Sequence, residues 1–131
     1  MIDASKAVGE ENYMRTTIVA ILIRKRKIFL GHVGDSRVYL LRNNILEKLT
    51  RDHSLVQDLV FRGVYHQRKQ KSSSIDSVTR VLGAKPNIEI TTLAHEIKSG
   101  DRLLLCSDGL SDMLSDKEIE KIANTEIHNL K

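Results

Sequence analysis

Four short apolar segments follow one another within the first 50 residues, and their close spacing restricts the fold more than any other feature. They occupy residues 17–23, 27–33, 37–41 and 45–49. The first is rich in β-branched residues, which favour strands, and its unbroken apolar run predicts burial on both faces. Connections of three residues leave no room for crossover helices. The segments therefore predict four consecutive antiparallel strands, a meander.

The charged residues are unevenly distributed along the chain, which has 21 basic and 17 acidic residues and a formal net charge of +4. Two compact basic clusters occupy residues 24–27 and 68–71. Nucleic-acid binding usually combines such clusters with aromatic side chains that stack on bases, and aromatic residues make up only 4% of this chain. We therefore interpret the first cluster as a hairpin tip and the second as a solvated loop, and predict no nucleic-acid partner.

Beyond residue 50 the pattern changes from strands to a helix and a loop. Ser54 and Gln57 have the spacing of a capping box, and Gly63 suits the end of the short helix that would follow. Residues 65–77 are polar, basic and serine-rich and show no periodicity. They predict a surface loop.

The last third of the chain resumes the strand pattern and then ends in a helix. Residues 77–82 and 87–93 are strand-like. Ser115 and Glu118 predict a second capping box. The helix that it begins would present three apolar residues on one face: Ile119, Ile122 and Ala123.

Length and composition predict one domain in an ordinary globular protein. A chain of 131 residues can bury one core but not two, and 40% of its residues are hydrophobic. No apolar run approaches the roughly 18 residues of a membrane span, and no signal segment follows Met1, so we expect a cytoplasmic protein without a membrane partner. Cys106 is the only cysteine. Its apolar neighbours predict a buried, inert thiol.

Near the C-terminal end, a run of apolar residues stops abruptly at a glycine flanked by acids. Residues 103–106 read Leu-Leu-Leu-Cys and predict a strand buried on both faces, and Ser107, Asp108 and Gly109 follow directly. A second acid, Asp112, comes four residues after the first. Mg²⁺ prefers oxygen ligands, and a carboxylate at the end of a rigid strand is well placed to provide one. Asp108 is therefore the first candidate metal ligand.

Three polar clusters admit a structural interpretation beside a functional one. Residues 34–37, Gly-Asp-Ser-Arg, could be only a tight turn, because such residues are common in turns. Residues 50–54, Thr-Arg-Asp-His-Ser, could be the start of a helix, with Asp52 and Ser54 competing to cap it. The acids within residues 108–112 could belong to a turn and a helix start without any metal.

Four short motifs in a fixed order resemble a known family. They are Gly-Asp-Ser-Arg at 34–37, Leu-Thr-Arg-Asp-His-Ser at 49–54, Thr-Arg-Val-Leu-Gly at 79–83 and Leu-Leu-Cys-Ser-Asp-Gly-Leu-Ser-Asp at 104–112. In this order they resemble the metal-dependent PP2C-type (PPM) serine/threonine protein phosphatases, particularly bacterial ones. The resemblance implies an α+β fold, a sandwich of two antiparallel β-sheets flanked by helices. It also implies that residues 1–131 form a single partial domain, incomplete at both ends.

The resemblance implies metal ligands at specific positions. Asp108 matches the aspartate of the family's Ser-Asp-Gly motif, a ligand of its binuclear Mg²⁺ or Mn²⁺ centre. Asp35 and Asp112 match positions that hold a further, weaker metal in many members. Two bridged metals would lower the pKa of a water molecule, and the resulting hydroxide would attack phosphorus without a cysteine nucleophile.

The resemblance also places a flap that touches substrate at about residues 53–78. His53, Arg68 and Lys69 are the candidate substrate contacts in this segment. The implied partners are proteins that carry phosphoserine or phosphothreonine, together with a serine/threonine kinase that modifies them.

Two motifs of the family do not occur in the sequence. They are the metal-bridging Asp-Gly-x-Gly-Gly segment and the Asp-Asn motif. Among the core ligands only Asp108 remains, and one carboxylate with waters is too few ligands for two cations. We therefore expect a piece of a phosphatase, cut or split and inactive by itself.

Two alternatives stay open beside this reading. One is a non-catalytic phosphatase-like module that binds a phosphoprotein or another partner. The other is a basic nucleic-acid-binding domain. If the chain has the family's fold without its first and last strands, unpaired strand edges and an exposed apolar face predict aggregation, self-association or instability.

Overall fold

Six strands and two helices make up the computed structural model, which describes residues 15–54, 78–84 and 86–125. The strands are β1 (Ile18–Arg24), β2 (Lys27–Val33), β3 (Arg37–Arg42), β4 (Ile45–Lys48), β5 (Thr91–Glu96) and β6 (Arg102–Cys106). The helices are α1 (Asp108–Ser111) and α2 (Asp116–Thr125). Strands and helices occur in separate runs, which confirms the predicted α+β class.

The strands form two antiparallel sheets of three strands each. The strand order is β1-β2-β5 in the first sheet and β4-β3-β6 in the second. The predicted four-stranded meander is therefore wrong, because β2 and β3 belong to different sheets. The chain passes from one sheet to the other through the three residues between Val33 and Arg37. That crossing point contains Asp35.

The hairpin tip predicted at the first basic cluster is present, and a second hairpin joins β3 to β4. Lys25, in the basic cluster between β1 and β2, has φ of 55°, and Asn43 and Asn44, between β3 and β4, have φ of 52° and 66°. Asparagine tolerates this left-handed region better than most residues do. Two successive residues at positive φ make the tight turn whose twist matches that of a hairpin.

The core is built mainly from the central strands β2 and β3. Its most buried apolar side chains are Ile28, Leu30, Val33, Val38, Tyr39 and Leu40. The outer strands are less covered than the sequence predicted. Leu22 of β1 and Leu105 of β6 are largely exposed, so the expectation that these two strands are buried on both faces is wrong. Each lies at the edge of its sheet in the described part of the chain.

The described residues that precede β5 pair with other segments only through isolated bridges. A strand was expected at residues 77–82, but the described residues 78–82 make only single bridges, Val78 with Ser54 and Leu82 with Thr16. β5 begins at Thr91, later than expected. The predicted helix after Ser54 and the predicted loop at 65–77 lie outside the described residues.

Helix α2 begins with the predicted capping box. The Ser115 backbone N–H donates to Glu118 Oε2 (2.8 Å), and the Glu118 N–H donates to Ser115 Oγ (3.4 Å). Ile119 is buried, but Ile122 is half exposed, so the packed face is narrower than predicted. Within the described residues, no helix is long and apolar enough to cross a membrane.

Candidate functional site

The turn that carries Asp35 is fixed by a glycine. Gly34 has φ of +107°, and a Cβ atom added to it would lie 2.3 Å from Thr17 Cγ2. Only glycine adopts this backbone conformation at low cost and also leaves room for Thr17. On the other side of Asp35, the hydroxyl groups of Ser36 and Thr17 are hydrogen bonded (2.8 Å). Thr17, the residue before β1, therefore packs against Gly34 and is hydrogen bonded to Ser36, the two neighbours of Asp35.

His53 holds the same turn from the opposite direction. The Gly34 N–H donates to His53 Nδ1 (3.1 Å), and the His53 N–H donates to Gly34 O (2.9 Å). Because Nδ1 accepts a hydrogen bond, the ring proton of the neutral side chain is on Nε2, which donates to Thr91 Oγ1 (2.8 Å). The ring also stacks on His32, with centroids 4.5 Å apart. Burial lowers the pKa of His32 and favours its neutral form.

Arg37 connects three segments of the chain. Its guanidinium group makes three hydrogen bonds to the Asp52 carboxylate, the shortest of 2.6 Å, and donates to Tyr39 Oη (3.2 Å). Tyr39 Oη in turn donates to Asp116 Oδ1 (2.8 Å) at the start of α2. Burial alone would lower the pKa of Arg37, but the hydrogen bonds to Asp52 and Tyr39 outweigh it and raise the pKa. The network fixes β3 relative to α2.

This network changes the interpretation of one predicted residue. Asp52 was a candidate helix cap, but its carboxylate is paired with Arg37 and lies 3.7 Å from Lys48 Nζ. No sequence motif singled out Tyr39 or Asp116. The available signal was the opposite charge of Arg37 and Asp52 in two neighbouring motifs, which does not by itself reveal a contact.

Asp108 is the first residue of the short helix α1, and Asp112 directly follows its last residue. β6 ends at Cys106, Ser107 is extended, and Asp108 begins the helix. The Asp112 N–H donates to the Asp108 backbone carbonyl (2.8 Å), so both acids lie on one helical turn. Both residues are exposed. Cys106 is only partly buried, although burial raises the pKa of its thiol and favours the protonated form, as predicted.

Asp35 lies in the electric field of these acids. Burial raises the pKa of its carboxyl, and the negative charges of Asp108, Asp52 and Asp112 raise it further against a backbone hydrogen bond that lowers it. Acids from two separate motifs are thus near enough for Asp108 and Asp112 to act on Asp35 electrostatically. We name this group the acidic cluster: Asp35, Asp108 and Asp112.

The acidic cluster matches the chemistry of a divalent cation but is not a complete site. Carboxylate oxygens are the donors that Mg²⁺ and Mn²⁺ prefer, and a cation would favour the charged form of Asp35, whose pKa is raised by burial and then by the neighbouring acids. Among residues 15–54, 78–84 and 86–125, however, no three His, Cys, Asp or Glu side chains are arranged to hold a metal ion. Further ligands would have to come from outside these residues.

The predicted substrate contacts have different outcomes. His53 is buried, and both its ring nitrogens are hydrogen bonded, so its contact with substrate stays a prediction. Arg68 and Lys69 lie outside the described residues. Thr91 lies in β5 and was not part of any predicted motif. Its hydroxyl oxygen accepts the hydrogen bond from His53 Nε2.

Comparison with known proteins gives consistent matches. A family model described as protein phosphatase 2C matches residues 3–129. The serine/threonine phosphatase stp of Listeria welshimeri is 39% identical over 116 residues, which are 88% of this chain and 46% of that protein. The structure of the S. agalactiae serine/threonine phosphatase superposes with a TM-score of 0.82 at 33% identity, covering 92% of this chain and 51% of that one.

One similar structure contains metal. The catalytic domain of the serine/threonine phosphatase PstP, in complex with two manganese ions, has a TM-score of 0.68 at 40% identity and covers 82% of this chain and 44% of that one. The chain spans about half the length of the curated Listeria relatives that it matches.

Proposed function

Because this chain belongs to the protein phosphatase 2C family, we propose that it forms one part of a metal-dependent phosphatase that acts on phosphoserine and phosphothreonine in proteins. The main support is the match of residues 3–129 to the family model, together with the electrostatic effect of Asp108 and Asp112 on Asp35, which acids of two separate motifs produce.

Asp108 would be a metal ligand, with Asp35 and Asp112 at a neighbouring position. A divalent cation bound there would supply an activated water molecule and offset charge on the phosphoryl group. The contribution of this chain is to hold the carboxylates. Gly34 and His53 fix the turn of Asp35, and the end of β6 fixes Asp108.

The isolated chain is expected to lack phosphatase activity. Its 131 residues contain neither the Asp-Gly-x-Gly-Gly nor the Asp-Asn motif that completes the metal centre in the family. Incubated with Mn²⁺ and a phosphothreonine peptide, the chain should release phosphate no faster than its Asp108→Asn variant. A metal-dependent rate that this substitution abolishes would contradict the expectation of inactivity.

A chimera tests whether the acidic cluster can function in a complete metal centre. Residues 15–125 would replace the corresponding segment of the Listeria welshimeri phosphatase. We expect Mn²⁺-dependent hydrolysis of a phosphothreonine peptide, reduced by Asp108→Asn more than the roughly 10–100-fold typical of residues that only support a metal ligand. A folded chimera whose activity is indifferent to Asp108→Asn would refute the assignment of Asp108.

A non-catalytic phosphatase-like module is the second candidate. The incomplete metal site within the described residues favours it. The DNA upstream of Met1 discriminates between the two: an Asp-Gly-x-Gly-Gly segment encoded there in any frame supports the phosphatase, and its absence supports the module.

We also propose partners for the chain. A phosphatase of this kind would act on the products of a serine/threonine kinase. The chain would also self-associate, because one face of the first sheet exposes Ile18, Leu22 and Phe29. Light scattering should then report a mass above 14.9 kDa, and a monodisperse monomer at all concentrations would refute self-association.

A further inference from the structure

Two stacked imidazole rings lie next to the turn that carries Asp35. The rings belong to His32 of β2 and to His53, and their centroids are 4.5 Å apart with an angle of 16° between the ring planes. Both side chains are buried. His53 also exchanges two hydrogen bonds with Gly34, the residue before Asp35. A change in the charge of this histidine pair therefore acts on a side chain that holds the turn.

The hydrogen bond from Gly34 requires an unprotonated Nδ1 atom on His53. The Gly34 N–H can only donate, so Nδ1 offers a lone pair, and the ring proton of the neutral form lies on Nε2, which donates to Thr91 Oγ1. In the imidazolium form both ring nitrogens carry protons. Two N–H groups would then point at each other across the present 3.1 Å between Gly34 N and Nδ1, and the hydrogen bond would be lost.

His32 makes a positive charge on the pair more costly. Its Nδ1 atom is buried and has no hydrogen-bond partner among the residues that the structure describes. Burial has the largest effect on the pKa of His32 and lowers it, whereas Asp52 raises it and Arg80 lowers it. Two charged rings at the present separation would repel each other. The stacked pair can therefore carry at most one proton beyond the neutral state.

Acid favours states in which the pair is open. The ordinary pKa of histidine is 6.5, and the pKa of His32 is below this value in the folded chain. Above pH 6.5 the ring is mainly neutral whether it is buried or exposed. Below pH 6.5 an exposed ring takes up a proton before the buried one does, so the closed pair loses stability as the pH falls.

The charged side chains beside His53 do not favour an imidazolium ion. Four of them line the same pocket as His53: Arg51, Asp52, Arg80 and Glu89. They are two acids and two bases, and Asp52 is already paired with Arg37. An excess of negative charge would be needed to hold a buried imidazolium ion, and these four residues do not provide it.

We propose that His53 is a positioning residue for Asp35 that holds the turn only while its ring is neutral, so that the turn opens on protonation. The segment that opens comprises the three residues between β2 and β3, where the chain passes from one sheet to the other. Opening would displace Asp35 from the acidic cluster and weaken binding of a cation there. This last consequence rests on the proposed function, whereas the opening of the turn does not.

NMR titration of the full chain in the presence of EDTA tests the opening, between about pH 7.5 and about pH 4.5, a range that spans the ordinary histidine pKa. At the upper end, His53 Nδ1 should carry no proton and should show a scalar coupling to the Gly34 amide nitrogen through the hydrogen bond. We expect this coupling to disappear in the same step in which Nδ1 gains a proton. The protection factor of the Gly34 amide should fall by about tenfold, the loss expected for one hydrogen bond.

His53→Asn separates titration of the ring from other effects of acid. The amide oxygen of asparagine can accept a hydrogen bond near the position of Nδ1 and does not titrate. The Gly34 amide should show no acid step in this variant. The step should persist in His95→Asn, the matched substitution in β5, and in Asp35→Asn, which removes the titration of the neighbouring carboxyl.

Four results would overturn the proposal: no acid step at all, a coupling that survives protonation of His53, a step that persists in His53→Asn, or one that disappears in either control. Loss of the chemical-shift dispersion of the whole chain in the same step would also overturn it, because the event would be global unfolding. If His53→Asn does not fold, the titration of the wild-type chain decides alone. Since EDTA removes metal, none of these results depends on whether the acidic cluster binds a cation.

Discussion

Two groups of acidic side chains in the described residues have opposite surroundings. Asp52 and Asp101 each face an arginine, with Arg37 Nη2–Asp52 Oδ2 and Arg42 Nη2–Asp101 Oδ2 distances of 2.6 Å. In the acidic cluster, by contrast, Asp35 experiences the negative charges of other carboxylates. The hydrogen bond from Arg42 lowers the pKa of Asp101 to about 2, whereas burial and neighbouring acids raise the pKa of Asp35.

The contrast separates stability from function. A paired acid reaches charge balance inside the chain, and its removal leaves an arginine without a partner. Burial and the neighbouring acids instead disfavour the charged form of Asp35, so ionised Asp35 costs stability in the protein without metal. The paired acids should therefore matter for folding and the clustered acids for binding.

The largest expected effect comes from a substitution in the turn that carries Asp35. Gly34→Ala combines a positive φ with a Cβ atom 2.3 Å from Thr17 Cγ2. We expect a loss of about 3–5 kcal/mol in the free energy of unfolding, from backbone strain and overpacking together. Urea denaturation measures it.

Gly100→Ala is the matched control. Gly100 also has positive φ, +89°, but nothing lies within 4 Å of an added Cβ. Strain alone should then cost about 1–2 kcal/mol. Equal losses in the two variants would mean that the contact with Thr17 is unimportant.

The next effect tests the paired group directly. Asp52→Ala leaves the partly buried guanidinium of Arg37 without its carboxylate and should cost about 2–3 kcal/mol. Glu89→Gln, which breaks an exposed pair, should change the unfolding free energy by less than about 0.5 kcal/mol. Asp108→Asn, in the acidic cluster, should change the unfolding free energy by a similarly small amount or stabilise the fold slightly. If all three variants unfold alike in urea, the distinction between the groups is wrong.

A smaller effect depends on pH. The pKa of Asp101 falls from 3.8 to about 2 on folding, so its pair with Arg42 stabilises the fold above pH 3.8 and the gain is lost as pH falls towards 2. Asp101→Asn should be less stable than the wild-type chain at pH 7 and indistinguishable from it near pH 2. Urea midpoints at several pH values check this, and a difference independent of pH would exclude the ion pair as its cause.

The strands were easier to predict than their arrangement. β2 was predicted at its observed bounds, because apolar runs and the turn residues between them are local signals. The pairing was missed at residues 34–36, since a short polar segment can join two paired strands or carry the chain to another sheet. Which of these occurs depends on packing distant in sequence. The same reason explains residues 78–82, whose strand-like pattern yields only two isolated bridges.

A site residue was predictable where a single residue of a local motif indicates the chemistry by itself. Asp35, Asp108 and Asp112 were identified from turn and strand-end motifs, and in the fold the charges of Asp108 and Asp112 act on Asp35. Their ligand roles remain predictions. Contacts that join motifs, such as those of Arg37 with Asp52 and of His53 with Thr91, depend on side chains meeting across 15 and 38 residues and were not predictable from local patterns.

The most direct test of the account is to locate Mn²⁺ on the chain itself. Added at low concentration, the paramagnetic ion broadens the NMR resonances of nearby amides, even when its binding is weak. We predict broadening centred on the amides of the acidic cluster and lost in Asp108→Asn, with the amides of Asp52 and Asp101 less affected. Broadening centred on Asp52 and Asp101, or unchanged by Asp108→Asn, would contradict the claim that this chain provides part of the ligands of a metal centre.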